Sequence, residues 1–184
     1  MSKEELVVLV DEQDKQIGLE EKLKAHELGL LHRAFSVFLF RKKDGEIQVL
    51  LQQRALDKYH CGGLWANTCC SHPREGEDVI LAGNRRVKEE LGINIDKLKE
   101  VGVFTYRAVF ENKLIEHEVD HVLIGKFEGD ADTIDFNKDE VAAVRWISLD
   151  NLKKEFVQKA DIFVPWVNKA FVIIFNEEIE NLFK

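Results

Sequence analysis

The alternation of apolar and polar positions divides the chain into short strand-like runs around one central helix. LVVLV (6–10) is a continuous apolar run of strand length. DEQDKQIG (11–18) reads as a polar turn, and LEEKLKAHELGL (19–30) has helical character that stops at Gly29. RAFSVFLF (33–40) and IQVLLQQR (47–54) are apolar strand candidates, and Asp44-Gly45 between them predicts a hairpin. Residues 55–76 hold Gly62, Gly63, Pro73 and Gly76 and read as a long loop. Loops of that length in compact domains are functional or disordered, and Trp65 and Cys70, both of buried type, argue for order.

A helix is predicted from about Glu77 to Leu91, with Ile80, Val87 and Leu91 on one face and Gly92 as its stop. VGVFTYRAVF (101–110) and LIEHEVDHVLIGKF (114–127), split by a polar ENK, form a second hairpin. VAAVRWISL (141–149) is a further strand leading into LDNLKKEF, and PWVNKAFVIIFNEEIENLF (165–183) opens on proline and reads as a terminal helix. The order of strands, central helix, strands and helices predicts an α+β or α/β sandwich, not a doubly wound parallel sheet. No repeat, low-complexity tract or linker interrupts it, so residues 1–184 are expected to form one domain.

Composition narrows the partners. The 184 residues are 45% hydrophobic and 33% charged, ordinary for a soluble domain, and no apolar run reaches membrane-spanning length. The formal charge of −8 speaks against nucleic acid, which needs a basic face, but a small anion needs only a local cluster of Lys and Arg or a metal ion. An acidic start without a signal-peptide pattern and three cysteines, an odd number, predict a reducing, cytoplasmic setting. The sequence leaves the oligomeric state open, a monomer included.

Two stretches carry candidate chemistry. In a strand, EHEVD (116–120) puts Glu116, Glu118 and Asp120 on one face, roughly 6.5–7 Å apart. Taken alone, that row is an ordinary solvated face with Ile115, Val119 and Leu123 turned inward. His26, His32 and His72 change the weighting, because imidazoles and carboxylates together suit Zn²⁺, Mn²⁺ or Mg²⁺. WANTCCSHP (65–73) sets Cys69 beside Cys70 in front of His72. Adjacent cysteines bridge only with strain, and no second Cys-x2-Cys supports a zinc finger. Lys22, Arg54, Lys58, Arg85 and Arg86 fall at loop and helix positions; one by one they are ordinary solvated charges. Arg86 and Glu90, four apart, share a helix face, either as an exposed ion pair or as part of a carboxylate row holding Mg²⁺ on a diphosphate.

SHPREGE…RRVKEELGI resembles a degenerate Nudix box, spanning about 71–93. Aligned on Gly92, it offers Ser71 for the first Gly, then Glu77, Arg85, Val87, Glu89, Glu90, Gly92 and Ile93, with Arg86 in place of a metal-binding Glu. A wider resemblance runs through EEKLKAHELGLLHRAFSVFLF, QQRALDKYHCGGLWANTCCSHP, YRA, EHEVDHVL and FVPW, in the order and spacing of the type I isopentenyl-diphosphate Δ-isomerase family. The resemblance implies a Nudix-type α/β/α sandwich with a mixed sheet. It implies a flavin-free isomerase converting isopentenyl diphosphate to dimethylallyl diphosphate in isoprenoid biosynthesis. It implies one Zn²⁺, Mn²⁺ or Mg²⁺ on His26, His32, His72, Glu116 and Glu118. A second ion, Mg²⁺, would bridge the substrate diphosphate to Glu90, with Lys22, Arg54, Lys58 and Arg86 on the diphosphate. On this reading Arg86 exchanges metal binding for phosphate binding.

Moving a double bond in an unactivated five-carbon chain requires protonation at one carbon and deprotonation at another, through a tertiary cation. Cys70 and Glu118 match the family's acid/base pair, Tyr106 would assist the carboxyl side, and Trp166 would face the cation. Cys69 would pack. The competing readings are a Nudix pyrophosphatase acting on a nucleoside diphosphate derivative and a metal-stabilised binding domain without turnover.

Overall fold

In the computed structural model of the chain, the described residues are 5–58, 61–129 and 134–184. Strands β1 (Leu6–Val10) and β2 (Gln16–Glu21) precede helix α1 (Lys22–Leu28); β3 (His32–Lys43) and β4 (Glu46–Arg54) form the first long hairpin. Short strands β5 (Trp65–Ala66) and β6 (Cys69–Ser71) lead to helix α2 (Val79–Leu91). Then come β7 (Leu98–Val109), β8 (Ile115–Lys126), β9 (Val141–Ser148), α3 (Leu149–Gln158) and α4 (Val167–Asn176), with short 3-10 turns at 160–162 and 179–183.

The nine strands form one mixed sheet organised on β3. Parallel β8 runs beside β3 from His32↔Glu118 to Phe40↔Lys126. On its other side β3 pairs antiparallel with β1 at His32, with β6 at 35–37 and with β4 at 40–43. Because successive side chains alternate, Phe35, Val37 and Leu39 point to the α2 face while Phe38 and Phe40 point to the α3/α4 face. Both faces are covered, which explains why RAFSVFLF is apolar without alternation. Gly83 lets α2 approach the sheet: a Cβ there would sit 2.9 Å from Leu123 and 3.0 Å from Leu98.

The hairpins and α2 lie where the patterning puts them, whereas the predicted terminal helix over 165–183 breaks after Asn176 into α4 and a 3-10 turn at 179–183. Three other segments differ. Residues 16–21, read as turn and helix start, form β2 and pair with β1, so the helix shrinks to α1. The loop 55–76 contains β5 and β6, whose pairing with β4 and β3 is non-local and leaves no periodicity to read; its residues 59–60 lie outside the described set. Helix α2 starts at Val79 because the Asp78 side chain accepts from the Ile80 and Leu81 amides, an N-cap.

Candidate active site

The carboxylate row of β8 is not a solvated face. Glu116, Glu118 and Asp120 are 5%, 6% and 1% exposed, and they continue the row of Val122 and Ile124 on the α3/α4 face. Polar groups this buried require partners. Three imidazoles supply them at the Glu118 end. His26 comes from α1, which Gly29 ends with φ 65 in the left-handed region, turning the chain back into His32 at the start of β3. His72 follows β6. The ring centroids of His26, His32 and His72 lie 5.0–5.9 Å apart. Glu118 Oε1 lies 2.9 Å from His72 Nε2 and 3.3 Å from His32 Nε2. One ligand atom from each of His26, His32, His72 and Glu118 falls within 4.8 Å of the others, and all four residues are buried.

Three imidazoles packed around one carboxylate fit a divalent cation and make poor sense as core packing. The His32 Nδ1 lies 2.8 Å from the Leu30 carbonyl, which can only accept, so Nδ1 carries the proton there and Nε2 faces the cluster. Burial, reinforced by neighbouring imidazoles, pushes His26 down to about 3. Burial likewise takes His72 down to about 4, against the pull of Glu118. Burial would raise Glu118, but contacts with His32 and His72 hold it well below the carboxylate range. For His32, Glu118 outweighs burial and the pKa rises. A divalent ion would require neutral imidazoles and an ionised carboxylate, the states in which burial keeps His26 and His72 and the imidazoles keep Glu118.

Glu116 stands apart from the four. Its carboxylate meets the Tyr106 hydroxyl at 2.9 Å, and the same hydroxyl makes a shorter contact to Glu118. Tyr106 is paired directly with Glu118 across β7 and β8. Burial and the facing carboxylates push the phenol well above its usual pKa, so it remains a donor with one proton for two acceptors.

The pocket above this cluster is lined by Lys22, His26, His72, Arg54, Lys58, Cys70, Arg86, Glu90, Tyr106, Glu116, Glu118 and Trp166; every candidate site residue except His32, which is buried beneath it, meets there. Alternation along β6 separates the two thiols. Cys69 is fully buried with the α2-side core, and Cys70 packs against the opposite core and reaches the pocket. Burial pushes the Cys70 thiol far up, so at neutral pH it holds its proton. The β6 and β8 strands flank β3 on opposite sides, with Cys70 opposite Ser36 and Glu118 opposite His32, so their backbones are about 10 Å apart laterally and four residues, about 13 Å, apart along β3, and their side chains approach each other across the pocket. Trp166, 4% exposed, is anchored by the Val164 amide on the Trp65 carbonyl, 3.0 Å, and its ring lies 5.5 Å from the Arg54 guanidinium.

Three of the basic residues on the pocket wall, Lys22, Lys58 and Arg86, are each held by a carboxylate. Arg86 donates to Glu90 at 2.5 Å and to Glu89 at 3.0 Å, Lys58 pairs with Glu140 at 2.5 Å and Lys22 with Glu5 at 3.0 Å. Gln52, buried in β4, donates to the second Glu90 oxygen at 3.1 Å. Gln52, Glu140 and Asp120 line the pocket without having been assigned a role from sequence. Gln52 was detectable as a polar residue closing the apolar run VLL; Glu140 carries no signal, because 50 residues separate it from Glu90.

The NUDIX domain family matches residues 30–167. An isopentenyl-diphosphate Delta-isomerase of Photobacterium profundum is 48% identical over 175 residues, 95% of this chain and 96% of that protein. The chain belongs to the NUDIX family and groups with its isopentenyl-diphosphate Delta-isomerases. The enzyme of that name from Burkholderia multivorans is also 48% identical, over 89% of each chain. Among solved structures, the DR0079 protein of Deinococcus radiodurans shares the NUDIX fold with a TM-score of 0.65, covering 84% of this chain and 90% of that one at 17% identity. Inside the matched family region, Arg86 donates to Glu90 on the same helix. Among the described residues no helix is long and apolar enough to cross a membrane.

Proposed function

We infer that the protein isomerises isopentenyl diphosphate to dimethylallyl diphosphate, an activity supported by relatives of that name at 42–48% identity over most of the chain. The observation that carries the mechanism is the meeting of Cys70 and Glu118 in one pocket, one protonated and one ionised. The alkene takes a proton at one carbon from one member of the pair. The other member removes a proton from the carbon on the far side of the cationic centre, so the double bond moves by one position. In the resting protein the proton sits on Cys70. Tyr106 steadies the Glu118 side by its hydroxyl contact. Trp166 presents a ring face that already lies against one cation, Arg54, and would face the tertiary carbocation in turn. The buried Trp166 and Tyr106 rings keep water from trapping that cation.

His26, His32, His72 and Glu118, with Glu116 beside them, would hold Zn²⁺, Mn²⁺ or Mg²⁺, and Glu90 would hold Mg²⁺ on the diphosphate. The ions would supply charge neutralisation and order the carboxylates. Lys22, Arg54, Lys58 and Arg86 would bind the phosphate oxygens, where Arg gives paired contacts. No flavin enters this chemistry. The NUDIX hydrolase reading is disfavoured by the Arg86–Glu90 pair. Incubation with isopentenyl diphosphate and Mg²⁺, followed by NMR, tests the reading: dimethylallyl diphosphate should form, whereas release of inorganic phosphate or pyrophosphate alone would point to hydrolysis.

A further inference from the structure

One acidic residue stands where an anion-binding pocket should avoid one. Glu140 lines the pocket among Lys58 and Arg86, its Oε2 2.5 Å from Lys58 Nζ and 3.7 Å from Arg86 Nη2. Its placement is not loose. The Glu140 carbonyl accepts from the Ala55 amide at 3.0 Å, and the Glu140 amide donates to the Asn137 carbonyl at 3.0 Å. The Asn137 amide in turn donates to the Glu90 carbonyl at 2.8 Å, so the turn is laced to β4 and to the end of α2. A single Arg86 nitrogen thus faces two carboxylates, Glu90 on its own helix and Glu140 across the pocket wall. A negative charge fixed a few ångströms from the cations repels any phosphate that they attract.

We propose that Glu140 is a positioning residue for the diphosphate. Its carboxylate stands in for a phosphate oxygen, holding Lys58 and Arg86 toward the pocket before substrate arrives and releasing them when the diphosphate enters. This rests on the diphosphate reading of the pocket given above. The stand-in keeps two mutually repelling cations side by side at low cost and weakens ground-state affinity, so that product leaves. Its signature differs from that of a structural ion pair or a metal ligand: removing the charge should tighten anion binding.

The test is calorimetric titration of metal-loaded protein with inorganic pyrophosphate in excess Mg²⁺. Glu140→Gln should bind about fivefold more tightly than the natural protein, the factor expected for one unit charge at about 4 Å in water-like screening. KM for isopentenyl diphosphate should fall with kcat not raised. Glu140→Asp, which keeps the charge but withdraws it from Lys58, should give a smaller tightening and serves if the Gln variant folds poorly. Unchanged affinity would reduce Glu140 to a structural ion pair and overturn the proposal. Weaker binding would overturn it too, making the carboxylate a direct contributor to the bound diphosphate or its metal. If the natural protein itself ignores pyrophosphate, the diphosphate reading fails first and this proposal with it.

Discussion

The two walls of the pocket are built on opposite terms. On the histidine side, His26, His32, His72, Glu118 and Tyr106 are buried, burial and one another displace their protonation states, and strand pairing fixes His32, Glu118 and Tyr106. On the cationic side, Lys22, Lys58 and Arg86 have side chains 20–25% exposed, and each is balanced by an acidic partner that a ligand can replace. The contrast follows from what each wall is proposed to do. A group that moves a proton has to be held within a few tenths of an ångström of its productive position, which packing and backbone registry provide. A group that binds a multiply charged anion only needs its charge nearby and available, and a solvated, exchangeable ion pair provides that.

Substitutions should therefore hurt by different amounts and in different parameters. The largest loss is expected on the buried wall. Glu118→Gln removes a base and a ligand together and should lower kcat by about 10³-fold or more, given the usual contribution of acid/base catalysis. Metal content should fall in the same protein; a variant that keeps both turnover and metal would refute the convergence of roles on Glu118. Chelation of the natural protein should abolish turnover, and Mg²⁺ with or without Zn²⁺ or Mn²⁺ should restore it.

On the cationic wall, Arg86→Glu puts a negative charge beside the phosphates and should raise KM by roughly 10–100-fold, the worth of a charge-assisted hydrogen bond. It should gain no hydrolysis although it restores the box residue of the hydrolases. Strong pyrophosphatase activity in that variant would favour the hydrolase reading. Trp166→Ala, at the seam between the walls, should cost roughly thirtyfold in turnover, a cation–π contact in a dry site being about 2 kcal/mol. Trp166→Phe should keep part of the activity, and an alanine variant turning over normally would remove the ring from the mechanism.

The smallest effect is a pH slope in metal-free protein, and its sign follows from the buried wall. Between about 4 and 6.5, His26 and His72 stay neutral when folded but protonate when unfolded, so the unfolded chain takes up two more protons. His32, with its raised pKa, is protonated in both states there and adds nothing. Asp120, raised by burial and by Glu118, holds a proton when folded that the unfolded chain releases above 3.8, offsetting one of the two. The net is about one proton: stability should fall as pH drops through this window, by about 1.4 kcal/mol per pH unit. Thermal or denaturant melts of chelated protein between pH 4 and 7 measure it, and a flat or rising profile toward acid would show that His26 and His72 are not held neutral.

The same contrast marks how far patterning carried. Local signals were legible: the Asp44-Gly45 hairpin, α2 with its glycine stop, and the alternation that puts Glu116, Glu118 and Asp120 on one face. What that face meets was not, because period-two alternation cannot tell water from a second layer, and the Glu118 end is covered by His26 and His72, which only the fold brings there. The roles of Cys70, Glu118 and Trp166 were readable only through resemblance to a family, since no spacing relates positions 70, 118 and 166. The polar partners Gln52 and Glu140 depend on tertiary placement alone. The β2, β5 and β6 strands were missed for a related reason: each is short and defined by its partner strand, not by its own periodicity.

The most direct measurement compares the two thiols that β6 sends to opposite faces. Metal-loaded Cys69→Ala and Cys70→Ala proteins would be incubated with isopentenyl diphosphate in D₂O, and the product followed by NMR at equal metal content. The account predicts deuterated dimethylallyl diphosphate from Cys69→Ala, with only a packing penalty in stability, and almost none from Cys70→Ala, whose fold and metal content persist because its side chain is not among the proposed ligands. Turnover in Cys70→Ala together with a dead Cys69→Ala would assign the proton to the other thiol, and normal turnover in both would contradict proton transfer through this strand altogether.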